Sequence, residues 1–162
     1  MATTHNQEKG HAALRRGRVS LAGQVYFVTF TTHDRRRVFA EPECARAAAR
    51  AITDRRLWQH SRLLAWVLMP DHWHGLVRLG DAQDLSRLIR KLKANSARCL
   101  SGHAAPVWAT AFHDHALRTD EDLVVHARYL VMNPVRAGLA ARAGDYPYWD
   151  AVWLQPTDHT VA

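Results

Sequence analysis

A chain of 162 residues with 48% hydrophobic side chains is long enough to bury a real core, which excludes wholesale disorder. No apolar run reaches the roughly 18 residues of a membrane span, and no apolar stretch near the N-terminus reads as a secretory signal. A formal charge of +7 and a sequence pI of about 10.1 favour a polyanionic partner, either nucleic acid or an anionic surface.

Residues 1–20 are polar, basic and aperiodic, and Arg15-Arg16-Gly17-Arg18 is their only feature; they are expected to form a flexible arm. Residues 21–155 read as one domain and 156–162 as a tail. Gln24–Thr32 is β-branched and aromatic throughout and predicts a strand. Arg35, Arg36 and Arg37 follow in a loop, where they are either solvated or bound to phosphate. Glu41–His60 is rich in Ala and Arg, with Pro42 placed for a first helical turn, and predicts a helix. Cys44, within it, and Cys99 match no metal or redox spacing and fit ordinary thiols of a reducing cytoplasm.

Ser61–Met69 is apolar on both sides, as a central buried strand would be. A Pro70-Asp71 turn leads into a strand over 72–79, so the two should form a hairpin. Asp84 can cap a helix over 84–99, which buries Leu85, Leu88, Ile89 and Leu92. Arg87, Arg90, Lys91, Lys93 and Arg98 cover the rest of it, and such a run of cations makes this helix a candidate for gripping nucleic acid. Trp108–Arg118 predicts a weak strand with a second His-x-His at His113 and His115. An acidic start at 119–122 opens a helix to about Met132. Pro134–Leu139 is a short helical turn ended by Gly138. The aromatic segment Asp145–Trp153 should pack back on the core.

The order is βαββαβ plus a C-terminal helix, an α+β, ferredoxin-like arrangement. Its antiparallel sheet would carry helices on one face and leave the other available. Within strand 72–79, alternation puts Trp73, Gly75, Val77 and Leu79 on one face, and His72, His74, Leu76 and Arg78 on the other. The apolar face suits packing against helices. The imidazoles of His72 and His74 stand about 7 Å apart along the strand and can converge on one ion. On its own, such a pair is most simply two polar residues on a half-exposed strand. On the helix ending at Met132, Tyr129 lies away from the apolar stripe of Leu123, Ala127, Leu130 and Val131. It shares a surface with Asp122, His126 and Asn133, the last four residues on.

Met-Pro-Asp-His-Trp-His-Gly-Leu-Val at 69–77 resembles the His-hydrophobe-His motif of the IS200/IS605-like transposases, the HUH class with a single tyrosine. Arg-Tyr-Leu-Val-Met-Asn-Pro-Val-Arg-Ala-Gly-Leu at 128–139 is similar to the tyrosine segment of their REP-associated branch. Further matches lie at 14–19, 26–29 and 115–123, in the same order. The resemblance implies a metal-dependent, single-strand DNA endonuclease and strand transferase acting on palindromic hairpins. His72 and His74 would hold Mg²⁺ or Mn²⁺. Tyr129 would attack and remain joined to a 5′-phosphate. The residue four places after the tyrosine helps ligate the metal in this family; glutamine serves in the insertion-sequence enzymes, and Asn133 stands here. Arg35–Arg37, Arg87, Arg90, Lys91, Lys93, His115 and Arg118 would meet the DNA.

The implied setting is the bacterial cytoplasm, on nucleoid DNA, as a monomer or homodimer with no membrane partner or small-molecule substrate. The same fold and charge would serve a domesticated nucleic-acid-binding module that does not cleave. A zinc deaminase is not supported, because its His-x-Glu and Pro-Cys-x-x-Cys signatures are missing. Two imidazoles alone could equally hold zinc, so the choice of Mg²⁺ or Mn²⁺ comes from the family.

Overall fold

The computed structural model describes residues 20–100, 102–118 and 121–154. The basic arm up to residue 19, the matched segment 14–19, residues 119–120 of the acidic helix start and the tail from 155 lie outside the described residues.

Strand β1 (Val25–Thr31) comes from the aromatic, β-branched run. Helix α1 (Pro42–Ile52) starts at its proline and is shorter than the sequence predicts. The Thr53 hydroxyl bonds back to the Ala49 carbonyl at 2.9 Å. Asp54 then accepts from the Arg56 N–H at 3.0 Å and starts a separate turn at Arg55–Leu57. Both contacts offer the backbone an alternative to continued helix.

The predicted hairpin is β2 (Arg62–Met69) and β3 (His72–Arg78), joined by Pro70-Asp71 with Met69 opposite His72. Helix α2 (Leu85–Arg98) is capped as expected, the Asp84 carboxylate accepting from the Arg87 N–H at 2.7 Å. The strand predicted over 108–118 contracts to β4 (His113–Ala116) and one isolated bridge between Thr32 and Trp108. Lys93 explains much of this loss. Its ammonium donates to the carbonyls of Ala109, Thr110 and Ala111 at 2.8–3.2 Å, which draws that stretch toward α2.

Helices α3 (Glu121–Val131) and α4 (Asn133–Arg136) follow, divided near Pro134. The aromatic tail does pack back, and it adds a fifth strand, β5 (Trp149–Ala151), beside β2. The Tyr146 hydroxyl anchors it by donating to the Leu68 carbonyl at 2.7 Å. The sheet order is β4-β1-β3-β2-β5 with antiparallel pairs throughout, a ferredoxin-like four-strand core extended at one edge.

One face of the sheet packs on α1 and α2. Ala45, Ala48 and Ile52 of α1 and Leu85, Leu88, Ile89 and Leu92 of α2 meet Val28, Phe30, Leu68, Trp73 and Val77. The small residues of α1 allow it a close approach. Each large side chain fully buried here contributes roughly 1.5–3 kcal/mol of transfer free energy.

The second face is not left open, as the sequence suggested. α3 lies across it, and Leu123, Ala127 and Leu130 are buried against Val67, Met69 and Leu76. Leu76 shares the histidine face of β3 and needs an apolar cover, which the inner stripe of α3 supplies. The helix bearing Tyr129 is thereby fixed to the sheet face that carries His72 and His74.

Candidate active site

Strand pairing sets the site. Thr29 stands opposite His74 and Thr31 opposite His72, so all four share one face. The Nδ1 of His74 lies 2.7 Å from the Thr29 hydroxyl, and the Nδ1 of His72 lies 2.6 Å from the Asp71 carboxylate. The rings sit edge to face, with centroids 4.7 Å apart. Anchoring each ring at Nδ1 leaves its Nε2 for an incoming ligand, the usual way a carboxylate or hydroxyl orients a metal-binding imidazole. Burial is the main cause that pushes His74 down to about 3. The charges of His72, Arg136 and Arg35 add to it, against an opposing effect of Asp71. His74 is therefore neutral, the state in which an imidazole binds a cation.

Among the described residues no group of three His, Cys, Asp or Glu side chains is placed to hold a metal. The donor set still suits a divalent cation: two oriented imidazoles, with every further position left to water or to substrate oxygen. Asp71 acts as an orienting group, since one oxygen meets His72 and the other lies 3.6 Å from Arg35.

Tyr129 lies on the outward side of α3, 56% exposed. The guanidinium carbon of Arg136 sits 3.9 Å above its ring centroid. Arg136 also donates to the Tyr129 carbonyl at 2.8 Å and to the Asn133 side-chain oxygen at 2.7 Å. The Asn133 amide nitrogen is buried with no partner among the described residues. Phe27 links strand and helix, 5.6 Å from His74 and 5.7 Å from His126 between ring centroids.

The cations named from the sequence separate into two groups. Arg36 donates to the carbonyls of His33, Ala104 and Pro106 and so braces a loop. Lys93 is held by three carbonyls, as above. Arg35, Arg37, Arg87, Arg90, Lys91 and Arg118 are exposed. His115 stands opposite Phe27 and His113 opposite Thr29, so both lie on the histidine face of the sheet, across β1 from His74. Sequence reasoning assigned no role to Thr29, Asp71, Phe27 or Arg136, although all four fall within the matched segments 26–29, 69–77 and 128–139. Asp71 adjoins His72, and Arg136 is seven residues after Tyr129, on the same helical stripe; those spacings were readable. The cross-strand partners Thr29 and Phe27 needed the register.

Comparison with known proteins follows the same lines. Residues 21–116 match the family model described as Transposase IS200 like, a span that holds His72 and His74 and ends before Tyr129. A REP-associated tyrosine transposase of Escherichia coli K12 is 29% identical over 85 residues, covering 52% of this chain and 50% of that one. A relative from Haemophilus influenzae is 30% identical over 98 residues, covering 52% and 56%. The chain thus spans about half the length of the curated relatives it matches. A solved structure of a REP-associated tyrosine transposase bound to a REP hairpin superposes with a TM-score of 0.67 at 25% identity, over 82% of this chain and 79% of that one. With more than half of its length matched, and the histidine pair inside the match, the chain belongs to the IS200-like transposase family.

Proposed function

We propose that this protein is a metal-dependent, single-strand DNA endonuclease and strand transferase that acts on hairpin DNA. The observation that carries the reading is the pair His72 and His74, each anchored at Nδ1, on the sheet face crossed by the helix of Tyr129. A non-cleaving binder has no use for two oriented imidazoles on the face crossed by a helix that bears an exposed tyrosine. The hairpin enters from the similar structure, whose protein is bound to one. Relatives in bacteria, and the absence of a helix long and apolar enough to cross a membrane among the described residues, fit work on DNA in the cytoplasm.

In this reading the Tyr129 oxygen attacks the scissile phosphorus and the bond from phosphorus to the 3′ oxygen breaks. The phenol proton is balanced by the one gained at the released 3′-OH. The product is a 5′-phosphotyrosine, which keeps the phosphodiester energy, so a later 3′-OH attack rejoins DNA without a nucleotide cofactor. Mg²⁺ or Mn²⁺ held by His72 and His74 would supply neutralisation of charge at the phosphate. Thr29 and Asp71 orient the two rings for that task. Arg35, Arg37, Arg87, Arg90, Lys91, His115 and Arg118 are the side chains assigned to holding DNA.

The test is a covalent-adduct assay with labelled single-stranded hairpin DNA and Mn²⁺ or Mg²⁺. A protein–DNA band on a denaturing gel that needs metal and disappears in Tyr129→Phe and His72→Ala is the expected result. Tight binding without any band would replace this reading with a non-cleaving module. A band that survives Tyr129→Phe would remove Tyr129 as nucleophile.

A further inference from the structure

We propose that Arg136 is a positioning residue for the attack by Tyr129, and that Asn133 acts by holding Arg136. The inference rests on the nuclease reading above.

An attacking oxygen must be held close to its target, yet the core does little to hold this ring. Tyr129 is 56% exposed and stands on the outer side of its helix. What holds it is a guanidinium plane 3.9 Å from the ring centroid. That plane is itself fixed at two acceptors, the Tyr129 carbonyl at 2.8 Å and the Asn133 side-chain oxygen at 2.7 Å.

The chain geometry makes this possible. Tyr129, Asn133 and Arg136 are spaced i, i+4 and i+7, and the helical path carries across the junction of α3 and α4. The Met132 N–H reaches the Arg128 carbonyl at 3.1 Å, and the Arg136 N–H reaches the Met132 carbonyl at 3.0 Å. The three side chains therefore stack on one stripe.

The amide of Asn133 is oriented for this task. Its oxygen takes the guanidinium while its nitrogen is buried without a partner among the described residues. The clamped tyrosine rides on α3, the helix that crosses the sheet face carrying His72 and His74. Lysine could not replace this residue. An ammonium has no plane to lie on the ring and no fork to bridge two oxygens.

The experiment is single-turnover adduct formation on pre-bound, labelled single-stranded hairpin DNA with Mn²⁺, using full-length protein. Arg136→Ala is expected to slow the step by ~10²-fold, the size of effect that misplacing a reacting group produces, with DNA half-saturation changed little. Arg136→Lys should recover little of the rate, and added methylguanidinium should restore part of it to Arg136→Ala. Asn133→Ala should slow the step without raising the Mn²⁺ needed for half-maximal rate. The double variant should be no slower than Arg136→Ala.

A higher Mn²⁺ requirement in Asn133→Ala, with a normal rate in Arg136→Ala, would overturn the proposal and make Asn133 a metal ligand. Loss of DNA affinity alone in Arg136→Ala would overturn it too, making the arginine a phosphate grip. If the wild type forms no adduct, the nuclease reading has failed, and fluorine NMR of fluorotyrosine at position 129 still decides the clamp. The ring signal should shift and sharpen in Arg136→Ala, and an unchanged signal refutes it.

Discussion

Gly75→Ala should destabilise the protein although alanine is the better strand residue. A Cβ at position 75 would lie 2.0 Å from one carbon of the Trp73 ring and 2.4 and 2.8 Å from two others. Carbon atoms pack at about 3.5–4.0 Å, so the indole must retreat by about 1.5 Å. It has nowhere to go. Trp73 is fully buried, stacked on Phe30 with centroids 4.9 Å apart, and Phe30 meets Trp108 edge-on at 4.7 Å. Overpacking costs about 1–3 kcal/mol, and a spoiled aromatic stack adds about 0.5–1.5 kcal/mol. The entropic gain from replacing glycine in a strand is only about 0.5–1 kcal/mol. The clash wins, and the net loss should be about 2 kcal/mol by urea unfolding at unchanged slope. Gly144→Ala, where nothing lies within 4 Å, is the control and should be near neutral. In a Trp73→Leu background the cost of Gly75→Ala should largely vanish. A stable Gly75→Ala protein, or a cost that persists without the indole, would refute the reasoning.

Two further outcomes concern the histidines. Asp71→Asn removes the carboxylate that orients His72 from 2.6 Å, and should raise the Mn²⁺ needed for half-maximal adduct formation by about 10–100-fold; an unchanged metal requirement would show that the contact does not orient the ring. His74 is held at about 3, below the ordinary histidine value, so the fold binds its neutral form. The associated stability is fully present above the unfolded value near 6.5 and is lost as pH falls from there toward 3. By linkage this amounts to about 2 kcal/mol at pH 5, in chelator. The melting temperature of the wild type should therefore drop more between pH 6.5 and pH 5 than that of His74→Phe, and equal drops would assign the acid sensitivity elsewhere.

Much of this arrangement was legible because it depends on local periodicity. Strand alternation alone placed His72 and His74 opposite Trp73, and helical spacing alone placed Tyr129 outside the stripe of Leu123, Ala127 and Leu130. The Pro70-Asp71 turn, the Asp84 cap and the order of elements are likewise short-range features. What escaped was long-range. The need to cover Leu76 puts α3 on the histidine face, and no local pattern in α3 says which sheet face it will choose. The fifth strand was hidden because Trp149–Ala151 is too short to show alternation. Gly75 was placed on the packing face, but its reason is a neighbour two residues away whose rotamer folds over it. The basic side chains were the least legible. Arg36 and Lys93 look like Arg87 or Lys91 in sequence, and only the carbonyls gathered around them distinguish a brace from a surface charge.

That distinction yields its own prediction, since α2 and the histidines lie on opposite faces of the sheet. Arg87, Arg90 and Lys91 are exposed on a helix that packs through Leu85, Leu88, Ile89 and Leu92. A sheet and a helix separate these cations from the reacting face, so they can hold DNA but cannot take part in the attack. Each phosphate contact adds about 0.7 to the salt slope on a single strand and about 0.9 on a duplex. Arg90→Glu with Lys91→Glu should therefore lower that slope by roughly 1.4–1.8 and weaken binding, while the single-turnover rate at saturating DNA stays near wild type. Lys93→Ala should behave in the opposite way. Its ammonium satisfies three carbonyls and lies 5.0 Å from the Phe30 ring, so its loss should lower the melting temperature and leave the salt slope unchanged. If Lys93→Ala instead flattens the salt dependence of an equally stable protein, the carbonyl contacts do not hold Lys93 in solution. Lys93 would then join Arg87, Arg90 and Lys91 in the basic face of α2.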